Sequence, residues 1–393
     1  MQDVVIVGYA RTPIAKFMGG FASLSAMDLG GRAIAAALSH AGVASDQVDQ
    51  VYMGHVLQAG QGQITARQAA VRGGIGMGVP ATTINKVCPS GMAAIGLARQ
   101  TLMVGEADVV VAGGMESMSN APYVLPKARA GYRMGNGTLV DTMIQDGLWC
   151  AFDGCHMGEG SDAKNTEYEI SREAQDEWSA MSHERAAAAW KAGRFDGEVT
   201  PVEVPQRKGD PVVVEQDEGM RPGTTAESLG RLTAAFVKDG TITAGNASQV
   251  SDGGAAVVLT TASKAEELGL TPLGRILAYG TVAGPDPSLH HQPAEAINTA
   301  AAKIGREGGS FDLYEMNEAF ASVAIHSAKL LGLSADMVNV NGGAVALGHP
   351  IGCTGARITV SLLHELRNRG GGTGAASLCG GGGQGDALIV EAL

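Results

Sequence analysis

The sequence predicts an α/β protein made of two similar lobes, with a long segment inserted into the first lobe. Strand and helix signals alternate through the first third of the 393 residues, and the last third repeats that order. The stretch from 119 to 249 differs from both lobes, because it is much richer in charged residues and contains several Gly/Pro loops. These observations predict a sheet covered by helices in each lobe.

The first lobe is predicted to consist of strands separated by helices. We expect strands at residues 4–8, 51–57, 82–87 and 108–112, the last of them ending at Gly113-Gly114. Ser25 can cap a helix whose apolar residues recur at helical spacing as far as Leu38, and Gly42 follows its end. A second helix is predicted over residues 91–104.

The chain returns to this pattern after the charged stretch. Residues 255–260 predict a strand that rejoins the first lobe. The last third then predicts a strand-like segment at 338–341, a helix to about Arg367, and a strand at 375–379 before four glycines. The matching segments of the first lobe are residues 83–87, 90–104 and 109–112. The junction of two such lobes is a natural place for a functional site.

The charge balance and the cysteines exclude several classes of protein. The formal net charge of −12 argues against a nucleic acid or an anionic membrane as partner, since clustered Lys and Arg bind both. The five cysteines form no CxxC pair, which favours reduced thiols in the cytosol. No apolar run reaches the ~18 residues of a membrane span, and the N-terminus lacks the basic segment of an export signal. We therefore expect a cytoplasmic location.

One cysteine stands where a predicted strand turns into a predicted helix, in the segment Asn85-Lys86-Val87-Cys88-Pro89-Ser90-Gly91-Met92. At a helix N-terminus, partial positive charge and free N–H groups stabilise a thiolate and lower the pKa of the thiol. A lone cysteine is otherwise most often a small buried apolar residue. The order of strand, Cys88, glycine and helix favours a nucleophile.

Three further motifs carry groups suited to acyl chemistry. His349 stands in the glycine-rich segment 341–352, where it can act as a base or as a hydrogen-bond donor. Cys379 precedes glycines 380–383, whose backbone N–H groups can hold an oxyanion. Asn317-Glu318 begins a predicted apolar helix. Taken singly, these motifs also fit a solvated loop histidine, an incidental cysteine and a helix cap.

Taken together, the motifs match one known family in order and spacing. The matching segments are 111–119, 243–248, 252–253, Asn-Glu-Ala-Phe at 317–320, Gly-His-Pro at 348–350 and Cys-Gly-Gly-Gly at 379–382. Over essentially its whole length the chain resembles the thiolase family. The resemblance is closest to the acetyl-CoA acetyltransferase (acetoacetyl-CoA thiolase) members of bacterial type.

This resemblance implies the thiolase fold, an α/β fold of two similar αβαβα halves with an inserted loop domain. The N-terminal half would comprise residues 1–119 plus 250–270, the loop domain 120–249 and the C-terminal half 271–393. The loop domain is expected to bind CoA and to provide oligomer contacts, with segment 131–148 at a tetramer contact. We expect a homotetramer arranged as a dimer of dimers.

The resemblance implies a reversible Claisen condensation of two acetyl-CoA molecules to acetoacetyl-CoA and CoA, through an acyl-Cys88 intermediate in ping-pong chemistry. His349 would activate Cys88, and Cys379 would move a proton at the acetyl methyl group. Asn317 would fix a water that forms one oxyanion hole with His349. The N–H groups of Cys88 and Gly381 would form the other. No metal and no cofactor are expected, because the CoA thioesters are substrates.

The resemblance also implies a set of residues that contact CoA or the acyl group. They are Leu148, His156, Met157, Arg221, Ser228, Phe236, Ala244, Ser248, Leu289, Ala319 and Phe320. CoA is an anion, so an acidic protein needs local positive charge at the mouth of such a site. Arg221, with nearby Arg207 and Lys208, is expected to supply it.

Two departures from the family pattern leave an alternative open. Pro89 stands where many relatives have glycine, and it removes one N–H donor from the turn. Leu289 stands where acetyl-specific members often carry methionine, which allows a 3-ketoacyl-CoA thiolase of broader chain length in fatty-acid β-oxidation.

A decarboxylating β-ketoacyl synthase or a cysteine hydrolase would leave Cys379 without a role. A non-catalytic subunit would tend to lack Cys88 or His349.

Overall fold

The computed structural model describes residues 2–393. The first half begins with alternating strands and helices. In chain order these are β1 (Val4–Arg11), β2 (Ala15–Lys16), α1 (Ala26–Ala41), β3 (Gln50–Gly54), α2 (Thr65–Arg72), β4 (Ala81–Ile84), α3 (Ser90–Val104) and β5 (Val109–Ser117). Helix α1 begins as predicted, because the Ser25 side chain accepts from the N–H of Asp28 and the Asp28 carboxylate accepts from Ser25 N–H. It ends at Gly42, whose φ is 66°.

The chain then leaves the main sheet for a long insertion. Its elements are β6 (Tyr123–Val124), β7 (Val140–Asp141), β8 (Trp149–Cys150), β9 (Cys155–His156), α4 (Met157–Glu167), α5 (Arg172–Lys191), β10 (Val202–Val204), β11 (Val212–Val214) and α6 (Ala226–Gly230). The six strands pair only with one another, as three two-stranded ribbons. The insertion therefore adds no strand to the main sheet.

The chain rejoins the first half and continues into the second half. The remaining elements are β12 (Ser251–Thr261), α7 (Ala262–Glu267), β13 (Gly274–Ala283), α8 (Gln292–Ala302), β14 (Leu313–Met316), α9 (Ala321–Leu330), α10 (Ala344–Leu347), α11 (Ile351–Asn368), β15 (Gly372–Gly380) and β16 (Gln384–Ala392). Within residues 2–393, no helix is both long and apolar enough to cross a membrane.

The two halves share one strand order. The first half runs β4-β3-β5-β12-β1 across its sheet, and the second runs β14-β15-β16-β13 in the corresponding positions. The counterpart of β4 in the second half is reduced to a single parallel bridge between Tyr314 and Val338. The halves meet where β1 pairs antiparallel with β13, at Val5↔Arg275 and Ile6↔Gly274. The prediction of two similar halves is thus confirmed.

The layers stack as helix, sheet, helix, sheet, helix. One apolar core joins α1 and α2 to the outer face of the first sheet, and another joins α8 and α9 to the second. The largest core surrounds α3 and α11, which lie between the sheets. The two central helices approach closely, since a Cβ on Gly91 would lie 2.9 Å from Ala356 N. Glycine is required at that contact.

Several predicted strand boundaries were wrong, for identifiable reasons. The strand predicted to end at Gly113-Gly114 continues as β5 to Ser117, because glycine is the residue that fits there. A Cβ on Gly113 would lie 2.1 Å from Ala255 O, and one on Gly114 would lie 2.0 Å from Gly352 O. The strands predicted to reach residues 57 and 87 end at Gly54 and Ile84. Residues 338–341 form no strand beyond the single bridge at Val338.

Candidate active site

Cys88 lies in a tight turn between strand β4 and helix α3, immediately before the N-cap residue Pro89. The preceding residue, Val87, has a φ of 52°, which a β-branched residue adopts only at a cost. Asn85 Oδ1 accepts from Val87 N–H at 3.0 Å, and Ser90 Oγ donates to Val87 O at 2.5 Å. These bonds hold the strained turn and fix the direction of the Cys88 thiol.

An ion pair connects this turn to the second half. Lys86 Nζ lies 2.6 Å from Asp386 Oδ1 on strand β16, and Tyr279 OH donates to Asp386 Oδ2 at 2.6 Å. Asp386 is buried, so its charge-assisted hydrogen bond with Lys86 is partly shielded from water. The loop that carries Cys88 is therefore anchored in both halves.

The expected lowering of the Cys88 pKa is wrong for the free protein. Burial raises the pKa of this thiol to about 12, against opposing contributions from the backbone N–H groups of Gly381 and Cys88 itself. The side chain is only 6% exposed. The helix N-terminus and the N–H groups therefore do not outweigh desolvation, and the thiol needs a base to become a nucleophile.

His349 lies in the short connection between α10 and α11, where it borders the same cavity as Cys88. Its Nδ1 is 2.6 Å from Thr354 Oγ1, and that hydroxyl donates to Pro350 O at 2.9 Å. A hydroxyl has one hydrogen, so Thr354 accepts from Nδ1–H and leaves Nε2 unprotonated. Burial lowers the pKa of His349 to about 3, which keeps the ring neutral, with Nε2 as its hydrogen-bond acceptor.

Asn317 lies beside this imidazole. Its Nδ2 is 3.4 Å from His349 Nε2, and its buried Oδ1 has no hydrogen-bond partner among the described residues. The helix predicted to begin here starts later, at Ala321, with Phe320 as N-cap. Asn317 is therefore not a capping residue, and its side chain is free to hold a small polar molecule next to His349.

Cys379 lies near the end of strand β15 and is fully buried. Burial raises the pKa of its thiol well above the ordinary value, and the neighbouring Cys88 raises it further. The glycine turn that follows directs the N–H of Gly381 at the Cys88 sulfur. The thiols of Cys88 and Cys379 and the N–H of Gly381, contributed by the two halves, thus lie close together.

The acyl cavity, as we call the space beside Cys88, has a volume of about 240 Å³. Its lining contains eight residues of the predicted binding set, with Cys88 and His349: Leu148, His156, Met157, Phe236, Ser248, Leu289, Ala319 and Phe320. The walls are mostly apolar, and the His156 ring stacks on Phe236 at 4.6 Å between ring centroids. Sequence reasoning missed Gly147, Ala247, Val250 and Ile351, since apolar lining residues carry no local signal.

Three predicted binding residues lie outside this lining. Arg221, Ser228 and Ala244 are exposed, and the N–H of Arg221 donates to His183 Nδ1 at 3.1 Å. Ser228 takes part in the capping of helix α6 by Thr225. Their contact with CoA stays a prediction. Within residues 2–393, no group of three His, Cys, Asp or Glu side chains is placed to hold a metal ion.

A buried thiol and a neutral imidazole at one apolar cavity, with a second buried thiol beside the first, define a cysteine-dependent acyltransferase. Comparison with known proteins agrees with this class. The family models "Thiolase, N-terminal domain" and "Thiolase, C-terminal domain" match residues 4–263 and 270–392. The chain therefore belongs to the thiolase family, and the protein is an acyltransferase.

Individual relatives support the same assignment over the full length. A probable acetyl-CoA acetyltransferase of Mycolicibacterium smegmatis is 54% identical and covers 98% of this chain and 100% of its own. The acetyl-CoA acetyltransferase of Cupriavidus necator is 52% identical over 100% of both chains. The crystal structure of the Bacillus anthracis acetyl-CoA acetyltransferase is 43% identical, with a TM-score of 0.97 over 100% of this chain and 99% of that one.

Proposed function

We propose that the protein is an acetyl-CoA C-acetyltransferase that interconverts two acetyl-CoA with acetoacetyl-CoA and CoA. The observation that carries the proposal is the meeting of Cys88, His349 and the Gly381 N–H at the acyl cavity. Relatives with this name share about half of their residues with the chain. The small apolar cavity, closed by the buried Leu289, suits a short acyl group.

In the cleavage direction, His349 Nε2 takes the proton of Cys88, and the thiolate attacks the 3-keto carbon of acetoacetyl-CoA. The N–H groups of Cys88 and Gly381 stabilise the resulting oxyanion. The carbon–carbon bond then breaks, and the departing enolate of acetyl-CoA takes a proton from Cys379. A raised pKa suits this step, because Cys379 is a thiol before the reaction.

The second half-reaction restores both cysteines. The CoA thiol gives its proton to the Cys379 thiolate and attacks the acetyl group on Cys88. The Cys88 sulfur leaves and takes its proton back from His349. Condensation is the reverse sequence, and Asn317 with His349 stabilises the enolate oxygen in both directions, through a water held by Asn317.

The substrate is tested by thiolytic cleavage of acetoacetyl-, 3-ketohexanoyl- and 3-ketodecanoyl-CoA with the wild type and Cys88→Ala. Cleavage confined to the four-carbon substrate and lost in the variant supports the proposal. Comparable rates on the longer chains would replace it with the broader 3-ketoacyl-CoA thiolase that Leu289 leaves open.

The intermediate is tested separately by intact mass after addition of acetyl-CoA. Wild type and Cys379→Ala are both expected to gain one acetyl group, located on Cys88, whereas Cys88→Ala gains none. Only the wild type is expected to complete turnover, because the Cys379→Ala variant lacks the group that moves the methyl proton. Acetylation of Cys88→Ala at Cys379 would reverse the assigned roles.

Four further predictions belong to this proposal. We infer that the CoA nucleotide lies outside the acyl cavity near Arg221, where the exposed guanidinium offers positive charge. We also expect a homotetramer in the cytoplasm, with segment 131–148 at a subunit contact. Size-exclusion chromatography with light scattering tests the assembly, and Arg221→Gln, expected to raise the KM for CoA, tests the binding of the anion.

A further inference from the structure

Two cysteines outside the catalytic set face each other across a short hairpin formed by β8 and β9. Cys150 and Cys155 are direct partners in the antiparallel register, and both are free thiols. Directly opposed residues in such a ribbon have Cα atoms about 4.5 or 5.5 Å apart, within the ~4.4–6.8 Å that a disulfide spans. Their side chains also project from the same face of the ribbon.

The two thiols differ in accessibility in a way that suits stepwise exchange. Cys155 is partly exposed, whereas Cys150 is buried. The Cys150 thiol donates to Asp153 Oδ2 at 3.6 Å, and its sulfur accepts from Asp153 N–H at 3.4 Å; the second contact stays available when the sulfur has no hydrogen. An external reagent therefore meets Cys155 first, and Cys150 is placed to resolve the product.

The hairpin contacts the catalytic machinery at both of its ends. At its tip, the Phe152 ring rests on the glycine turn that follows Cys379, since a Cβ on Gly382 would lie 2.9 Å from Phe152 Cε2. At its base, Cys155 is followed directly by His156 and Met157, which line the acyl cavity. A Cβ on Gly381 would lie 3.5 Å from Met157 Cε. Movement of this hairpin therefore reaches both the cavity wall and an oxyanion donor.

We propose that Cys150 and Cys155 form a thiol–disulfide site that responds to low-molecular-weight disulfides and alters the geometry of the acyl cavity. In the first step, the Cys155 thiolate attacks the external disulfide, forms a mixed disulfide and releases one external thiolate. The Cys150 thiolate then attacks the Cys155 sulfur and releases the second external thiolate. Two protein thiols are oxidised, and one external disulfide is reduced to two thiols.

The expected effect of the Cys150–Cys155 disulfide on enzyme activity rests on the proposed function, whereas formation of the disulfide itself does not. A cross-link at the base of the hairpin fixes the distance between β8 and β9 and shifts His156, Met157 and Phe152. Small displacements next to reacting atoms are costly, so we expect kcat/KM for acetoacetyl-CoA cleavage to fall by about tenfold. Dithiothreitol is expected to restore the rate.

The test exposes the full-length protein to oxidised glutathione at mildly alkaline pH, because burial and Glu159 raise the pKa of the Cys155 thiol. Remaining thiols are then alkylated under denaturing conditions, and the protein is digested with trypsin. Residues 134–164 contain both cysteines and no internal Lys or Arg, so one peptide reports the bond. We expect it without alkyl groups and lighter than the reduced peptide by two hydrogens.

Serine variants separate this site from oxidation of the catalytic thiols. Cys150→Ser is expected to stop at a glutathione adduct on Cys155, and Cys155→Ser to leave Cys150 unmodified in the native protein. The double variant retains Cys88 and Cys379 and is expected to keep its rate in oxidised glutathione. An equal rate loss in the double variant would overturn the proposal, as would a fully alkylated wild-type peptide or a disulfide without effect on an active enzyme. A disulfide in a protein that cleaves no 3-ketoacyl-CoA would instead contradict the proposed function.

Discussion

Trp178 Nε1 donates a hydrogen bond to Glu318 Oε1 at 2.9 Å and thereby joins helix α5 of the insertion to the loop that carries Asn317. The same buried carboxylate accepts from Ser182 Oγ at 2.9 Å, Asn339 Nδ2 at 2.9 Å and Val345 N at 3.0 Å. All four partners are donors, so the side chain at position 318 must present a hydrogen-bond acceptor at both of its terminal atoms. Glu318 thus positions the segment before His349 as well as Asn317.

Glu318→Gln tests this requirement with almost no change in shape. The amide nitrogen would face Trp178 and Asn339, or Ser182 and Val345, and in either orientation it opposes a fixed N–H. We expect the free energy of unfolding to fall by about 2–4 kcal/mol, together with a lower kcat. Urea denaturation and thiolysis assays measure the two effects.

The matched control is Glu177→Gln, an exposed carboxylate on the same helix as Trp178. We expect it to change neither the urea midpoint nor the rate. If Glu318→Gln behaves like this control, the carboxylate does not hold the site together.

Thr354 is a positioning residue for His349, because its hydroxyl fixes the tautomer that leaves Nε2 free. Thr354→Val removes the hydroxyl at nearly constant volume and allows the ring proton to move to Nε2. We expect kcat to fall by about tenfold to a hundredfold with little change in KM. The rate of Cys88 alkylation by iodoacetamide at neutral pH should fall as well, since the thiol loses its base.

Thr354→Ser keeps a hydroxyl at the same place and is expected to restore most of both rates. A Thr354→Val enzyme with normal Cys88 alkylation but low stability would show a purely structural role for the hydroxyl.

Local sequence patterns correctly predicted the structural features that depend on only a few consecutive residues. The Ser25 cap and the terminating Gly42 of α1 follow from short-range hydrogen bonds and from a left-handed residue, so the pattern alone was sufficient. The turn at Cys88 is local in the same way. The repeated strand order was visible because both halves follow one alternation of strands and helices.

Properties that depend on tertiary packing were not predictable from those signals. The depth at which Cys88 is buried depends on the second half of the chain, and this depth reverses the expected direction of its pKa. In the sequence, Glu318 stood out only as part of the Asn317-Glu318 pair at a predicted helix start, because its four partners come from distant segments. Thr354 gave a weak signal, as a hydroxyl five residues after His349, but its role needed the geometry of the α11 N-terminus.

Leu289 is expected to limit the length of the acyl group. Its side chain is 4% exposed and borders both the acyl cavity and a neighbouring cavity of about 120 Å³. Leu289→Ala would join the two spaces, so we expect the ratio of kcat/KM for 3-ketohexanoyl-CoA to that for acetoacetyl-CoA to rise by about tenfold. The chain-length series on wild type and variant measures the ratio.

Leu289→Met conserves volume and serves as the control, with the ratio expected to stay near that of the wild type. An unchanged ratio in Leu289→Ala would place the limit on acyl length at another wall, such as Met157 or Phe320.

Asp252 on strand β12 is expected to make stability depend on pH. Its Oδ1 accepts from Ser119 N–H at 2.9 Å, whereas Oδ2 is buried without a hydrogen-bond partner among residues 2–393. Burial raises the pKa of this carboxyl from 3.8 to about 6. Between these values the native state binds the proton more tightly than the unfolded state does. The stabilisation is therefore complete below the lower value and is lost as the pH rises through the higher one.

Asp252→Asn keeps the size of the side chain and removes its titration. A pKa difference of about two units corresponds to ~3 kcal/mol, so we expect the variant to gain up to that amount relative to the wild type as the pH rises from below about 4 to neutral. Urea midpoints at several pH values, taken as the difference between variant and wild type, isolate this residue from the other carboxyls. A difference that does not vary with pH for Asp252→Asn would mean that the buried carboxyl is ionised at mildly acidic pH, because its bond to Ser119 then outweighs its desolvation.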